Sequence, residues 1–237
     1  MPDEREPSTG SPPPEPTFLA RGVDYVIVDK PAGVLVHRTQ LAPDRDVMLT
    51  RVRDALGIHV FPVHRLDRPT SGCLLFGLSA DAVPALQQAL HTGTKRYLAL
   101  VRGRADRYDG AVVSRPLRRE GTEQEAVTHL EVLASGPDPR CSVVVARPET
   151  GRYHQVRRHL AGLGHPILGD STHGDTRVNR EWRLRGLERL ALHCWSLDLP
   201  LPDGPVAVVA PLPPDLRAVL AALPFFADLQ ARLEPST

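Results

Sequence analysis

His64-Arg65-Leu66-Asp67-Arg68-Pro69-Thr70-Ser71-Gly72 sets one carboxylate between two arginines, immediately before an apolar run, Cys73-Leu74-Leu75-Phe76. Two positive neighbours favour the ionised form of an aspartate, and a Pro-Thr-Ser-Gly turn restricts how far its backbone moves. Taken alone, the stretch has two readings. One is a turn aspartate whose side chain bonds its own backbone, a common arrangement. The other is a fixed anionic nucleophile beside a polyanionic ligand.

Working outward, Cys73 to Leu78 has the composition of a short strand that Ser79 ends, and Ser79 can cap a helix running to about His91, with Leu86 and Leu90 on one face. Upstream, Tyr25 to Val28 reads as a strand, Lys30-Pro31-Ala32-Gly33 as a turn and Val34 to Val36 as a second strand. Val47, Leu49, Val52 and Leu56 recur at helical spacing. Downstream, Lys95 to Val101, Ala111 to Val113, Ala126 to Leu133 and Ser142 to Val145 continue a β pattern, with Gly136-Pro137 as a turn. A short helix starting near Tyr153 carries Val156 and Leu160 on one side and arginines on the other, and Gly169 to Arg185 is polar enough to be a loop. Leu190 to Leu199 and Val206 to Val209 are strands, and Pro214 with Asp215 opens a C-terminal helix. Strands outnumber helices and several are adjacent in sequence, so the expected class is α+β with a mainly antiparallel sheet.

Residues 1–17 hold six prolines among acidic and small residues and are expected to be a disordered tail; residues 18–237 show no further domain boundary. No run of about 18 apolar residues exists to span a membrane, and the N-terminus lacks an apolar signal segment. Cys73, Cys141 and Cys194 are too few and too widely spaced for a disulfide framework or a metal knuckle, which suits buried thiols in a reducing cytoplasm. The formal charge of +1 conceals an asymmetry: residues 1–20 carry −3, leaving +4 on the remainder. Lys30 and Lys95 are the only lysines, and nine arginines face five acids between Arg147 and Arg189. Arginine binds phosphate bidentately and stacks on bases.

Two further segments join the Asp67 turn. Lys95-Arg96-Tyr97-Leu98-Ala99-Leu100-Val101-Arg102-Gly103 is a strand with one tyrosine beside cations, and Thr150-Gly151-Arg152-Tyr153-His154-Gln155-Val156-Arg157-Arg158-His159-Leu160 is a glycine turn entering a basic helix. Together with Asp29-Lys30-Pro31-Ala32-Gly33-Val34-Leu35-Val36-His37, this set closely resembles the RluA-type pseudouridine synthases. Gly169-Asp170-Ser171-Thr172-His173-Gly174-Asp175, followed by Asn179-Arg180, is similar to the branch that modifies uridine 65 in tRNA. The resemblance spans about residues 18 to 212 and lacks the S4-like domain of some relatives. Tyr153 departs from it, standing where many relatives carry Thr or Lys.

The resemblance implies a pseudouridine synthase fold, a mixed, mainly antiparallel sheet with flanking helices and a central RNA-binding cleft. It implies Asp67 as the catalytic carboxylate, Tyr97 as an aromatic stacking on the target uracil, and Arg157 as the cationic partner of Asp67. Pseudouridine formation breaks the C1′–N1 bond, turns the base and joins C1′ to C5, so it requires neither a redox cofactor nor a metal. A duplexed uridine must be flipped out, at a cost of a few kcal/mol, and Arg65 stands where relatives fill the vacated stack. His64, Arg68, Arg152, Arg158, Arg177 and Arg180, with Arg115, Arg118 and Arg119, are the candidate RNA contacts, since A-form RNA is recognised through shape, phosphates and 2′-hydroxyls. The expected partner is RNA, tRNA foremost, with no membrane and no obligatory protein partner.

Competing classes are weaker. Ser71, His64 and Asp67 lie too close in one turn to align as a hydrolase triad. His165, His173 and Asp170 lack tight metal-ligand spacing and read as loop residues. The remaining alternatives are the same chemistry on ribosomal RNA or on another tRNA uridine, and a catalytically silent RNA-binding or RNA-folding protein.

Overall fold

The computed structural model describes residues 14–38, 46–201 and 203–233. Among them ten strands form one sheet. Along its main path lie β1 (Thr17–Arg21), β2 (Tyr25–Lys30), β4 (Ser71–Gly77), β11 (Leu192–Leu201), β5 (Thr94–Arg102), β10 (Arg140–Pro148), β9 (Val127–Pro137) and β6 (Val112–Ser114). β3 (Phe61–Pro62) adds to β4, and β12 (Gly204–Val209) adds to β11. All these pairings are antiparallel except β4 with β11. A separate hairpin joins β7 (Leu117–Arg119) to β8 (Thr122–Gln124) through Glu120 and Gly121, both at positive φ, as a two-residue turn matched to strand twist requires.

Among the described residues six α-helices flank the sheet: α1 (Met48–Leu56), α2 (Val83–Thr92), α3 (Gln155–Gly162), α4 (Thr176–Arg183), α5 (Pro214–Ala221) and α6 (Phe226–Leu233). The expected α+β class therefore holds. Two apolar clusters fill the interior, one around β2, β4, α1 and α2, the other around β5, β9, β10, α3, α5 and α6. Tyr97 of β5 packs against both and marks the seam between them. No helix among the described residues is long and apolar enough to cross a membrane.

Several local expectations need correction. Val34 to Val36 is not a strand. Leu35 bridges Val47, and the carbonyls of Leu35 and Val36 accept from the N–H groups of Met48 and Leu49, at 2.8 and 2.9 Å, so the segment satisfies the open donors that start α1. Ser79 does not cap α2; its hydroxyl accepts from Ala82 N and shapes the turn before the helix. The turn between β9 and β10 falls at Asp138 and Pro139 rather than at Gly136-Pro137. The polar stretch Gly169 to Arg185 contains a helix, α4, capped by Asp175, whose carboxylate accepts from Arg177 N and Val178 N. Residues 1–13 of the expected tail lie outside the described residues, whereas Thr17 belongs to β1, paired with Asp29.

Candidate active site

The Asp67 turn lies between β3 and β4 and closes on itself through Thr70 N donating to Asp67 O at 3.0 Å. It is stitched in place from beneath. Lys30 has no solvent exposure, and its ammonium donates to the carbonyls of Pro31, Arg68 and Thr70 at 2.8, 3.1 and 2.7 Å. Burial, reinforced by Arg189, lowers Lys30 to about 7, opposed by Asp67 and Asp29. Arg68 Nε donates to Gly33 O, and Gly33 N returns a bond to Arg68 O, so the two turns clasp each other. His64 Nε2 accepts from Leu75 N at 3.1 Å, and burial, with Lys95 adding to it, pulls its pKa down to about 4. His64 is thus a neutral brace between the turn and β4. Arg189 donates to Ser71 Oγ, which sits 2.8 Å from His193 Nδ1.

Asp67, Tyr97 and Arg157, separated widely in sequence, line one cavity of about 400 Å³. Arg157 is buried in the first turns of α3 and donates from Nη1 to Asp67 Oδ2 at 2.9 Å. Its Nε and Nη2 reach the two oxygens of Asp170, each at 2.8 Å. Asp170 also accepts from Thr172 N and His173 N. Burial pushes Asp170 up, but the Arg157 hydrogen bonds and these backbone donors outweigh it and hold the carboxyl at about 2. The helix that delivers Arg157 is itself anchored: Gln155 bonds Val127 O and Thr128 Oγ1, and His159 bonds Thr128 Oγ1 and Arg115 O. Tyr97 stands opposite Cys194 of β11, and burial, then that thiol, raise its phenol well above the ordinary value. The site therefore offers a paired carboxylate, a neutral phenol and a guanidinium around one space.

Of the other expected residues, His64, Arg65 and Arg152 line the same cavity, as does Arg119. Arg68 is engaged with Gly33 O, and Arg158 donates to Arg118 O. Arg177 and Arg180 stand exposed on α4 and do not line it. Arg157 was expected on the polar side of its helix and is instead buried, because two carboxylates receive it. Sequence reasoning passed over three residues. Lys30 was assigned to a turn, Asp170 to a loop, and His154, 3.6 Å from Asp67 Oδ2, to no role. Among the described residues no group of three or more His, Cys, Asp or Glu is placed to hold a metal ion.

Residues 24–162 match the family model described as RNA pseudouridylate synthase. The chain is 44% identical to tRNA pseudouridine synthase C of Salmonella typhi, over 79% of this chain and 82% of that protein. It is 43% identical to tRNA pseudouridine synthase C of Yersinia pestis, over 73% and 77%. Among solved structures it superimposes on Human RNA Pseudouridylate Synthase Domain Containing 1 with a TM-score of 0.71 at 28% identity, covering 89% of this chain and 90% of that one.

Proposed function

This chain belongs to the RNA pseudouridylate synthase family and is a pseudouridine synthase, and from that premise we propose that it isomerises uridine 65 of tRNA with Asp67 as the attacking carboxylate. The observation that carries the chemistry is the convergence of Asp67, Tyr97 and Arg157 on one cavity. What supports the substrate is the similarity to proteins named tRNA pseudouridine synthase C.

In this scheme the flipped uridine enters the cavity while Arg65 fills the gap left in the RNA stack. Arg157, donating to Asp67 Oδ2 at 2.9 Å, supplies the partner that a carboxylate needs in a closing, water-poor space. Asp67 attacks C1′ and bonds to it as the C1′–N1 bond breaks, the uracil turns against the Tyr97 ring, and C5 joins C1′ while the bond to Asp67 breaks. C5 then loses its proton and N1 takes one up, so the carboxylate is regenerated and no net oxidation or reduction occurs. The catalytic unit is residues 18–237, acting on RNA in the cytoplasm.

The test compares wild type and Asp67→Asn on unmodified tRNA transcripts, with pseudouridine mapped by sequencing and RNA binding measured on filters. Wild type should place one pseudouridine, at nucleotide 65, and the variant should place none while binding the same RNA. Modification of a ribosomal RNA or of another tRNA uridine would replace the substrate. Product from Asp67→Asn at the wild-type rate would remove Asp67 from the chemistry, and binding without product in either protein would favour a silent RNA-binding role.

A further inference from the structure

His154 precedes α3 in the left-handed region, φ 54° and ψ 29°, a conformation histidine keeps when its surroundings impose it. Those surroundings aim the ring. Tyr153 stacks on it, with centroids 3.8 Å apart and planes at 19°. His173 meets it edge-on, with His154 Nδ1 3.0 Å from His173 Nε2. His154 Nε2 then points at Asp67 Oδ2, 3.6 Å away. His173 is held by Asp170, which accepts from its backbone N–H and grips Arg157 with the same carboxylate.

Burial keeps both rings below the usual histidine value, opposed only in part by Asp67 and Asp170 and assisted by Arg157. Two neutral imidazoles joined through Nδ1 and Nε2 share one proton between those nitrogens. With that proton on His154, its Nε2 lone pair would face a carboxylate. With it on His173, His154 carries Nε2–H toward Asp67. The second arrangement is electrostatically favoured.

We propose that His154, set in its tautomer by His173, is a positioning residue for Asp67: it commits Oδ2, already bonded to Arg157, and leaves Oδ1 as the oxygen that reacts. This rests on Asp67 being the attacking carboxylate. The 3.6 Å separation is too long for a hydrogen bond in the free protein, and catalytic hydrogen bonds commonly tighten only in the substrate complex. His173 acts one step further back, through His154.

The experiment has two arms, both on the full chain. Two-bond proton–nitrogen correlations of histidine-labelled protein without RNA, assigned by the loss of signals in His154→Asn, report which nitrogen of His154 carries the proton. The Nε2–H form is expected in wild type and in His173→Gln, whose amide can donate to Nδ1, and should give way to a mixture of the two tautomers in His173→Phe, where nothing donates to Nδ1. Under saturating tRNA, His173→Phe should lower kcat about tenfold to a hundredfold with KM nearly unchanged, and His173→Gln should restore most of the rate. An Nδ1–H tautomer in wild type overturns the proposal, as does a His173→Phe variant that turns over normally or one that raises KM alone. The tautomer is read without substrate, so it stands or falls separately from the identity of the modified uridine and from the outcome of Asp67→Asn.

Discussion

Asp170 shows how much one side chain can organise without reaching the substrate. Its side chain is fully buried, and its two oxygens take Arg157 Nε and Nη2 and two backbone N–H groups. Its folded pKa, about 2, lies below the ordinary 3.8. The carboxylate therefore contributes stability that is complete above the unfolded value and lost as pH falls toward the folded one, roughly 2 kcal/mol in all. Asp170→Asn leaves Arg157 buried with half its partners, and removing one member of a buried pair costs about 3–5 kcal/mol. Urea unfolding at pH 7 should show a loss of that order. The gap between the two proteins should narrow by about 1 kcal/mol at pH 3, where the wild-type carboxylate begins to lose its advantage. An unchanged gap across that range would mean that folding does not lower the pKa of Asp170. The resemblance supplied Arg157 as the partner of Asp67, but neither the role of Asp170 nor the depth of Arg157's burial was legible. An arginine on an amphipathic helix looks half-solvated until the second carboxylate that meets it, 13 residues away, is known.

Elements that read correctly from the sequence are those with a continuous apolar run or a clear helical period. β4 is buried along its whole length, β5 over most of its length, and α1 keeps its apolar spacing. α4 was missed because half of its sequence, TRVNREWR, is charged and it turns only Asn179 and Trp182 fully inward. Asn179 serves as a polar clamp, accepting from Gly169 N and donating to Asp170 O, so periodicity in apolar residues could not reveal it. At the parallel contact between β4 and β11, Gly72 has φ 108°, and a Cβ there would lie 2.2 Å from Cys194 O. Gly72→Ala must therefore part the two strands directly downstream of the Asp67 turn. A loss of about 2–4 kcal/mol in urea unfolding is expected from the combined clash and backbone strain, with turnover falling more than RNA binding. A loss below about 0.5 kcal/mol would show that the strands separate freely.

At the scale of the whole molecule, the cavity around Asp67 opens at the seam between two apolar clusters, where Tyr97 packs, and the arginines divide by where they stand around it. Arg65, Arg119 and Arg152 rim the cavity that holds Asp67. Arg177 and Arg180 project from α4, whose Val178, Glu181 and Trp182 line a different depression with Arg102, Arg140 and Arg185. Composition could count these charges but could not sort them, because position on a folded surface depends on which face each element buries. Sorting them yields a salt-dependence test. Each arginine that neutralises a phosphate contributes about one unit to the slope of log affinity against log salt. Paired substitution of Arg119 and Arg152 by alanine should weaken tRNA binding and flatten that slope by about two. The matching pair at Arg177 and Arg180 should leave the slope nearly unchanged, since an RNA whose flipped base reaches Asp67 is held first by the rim of that cavity. Equal flattening by both pairs would mean that the RNA runs across α4 as well, and that the bound surface extends well beyond the cleft around the seam.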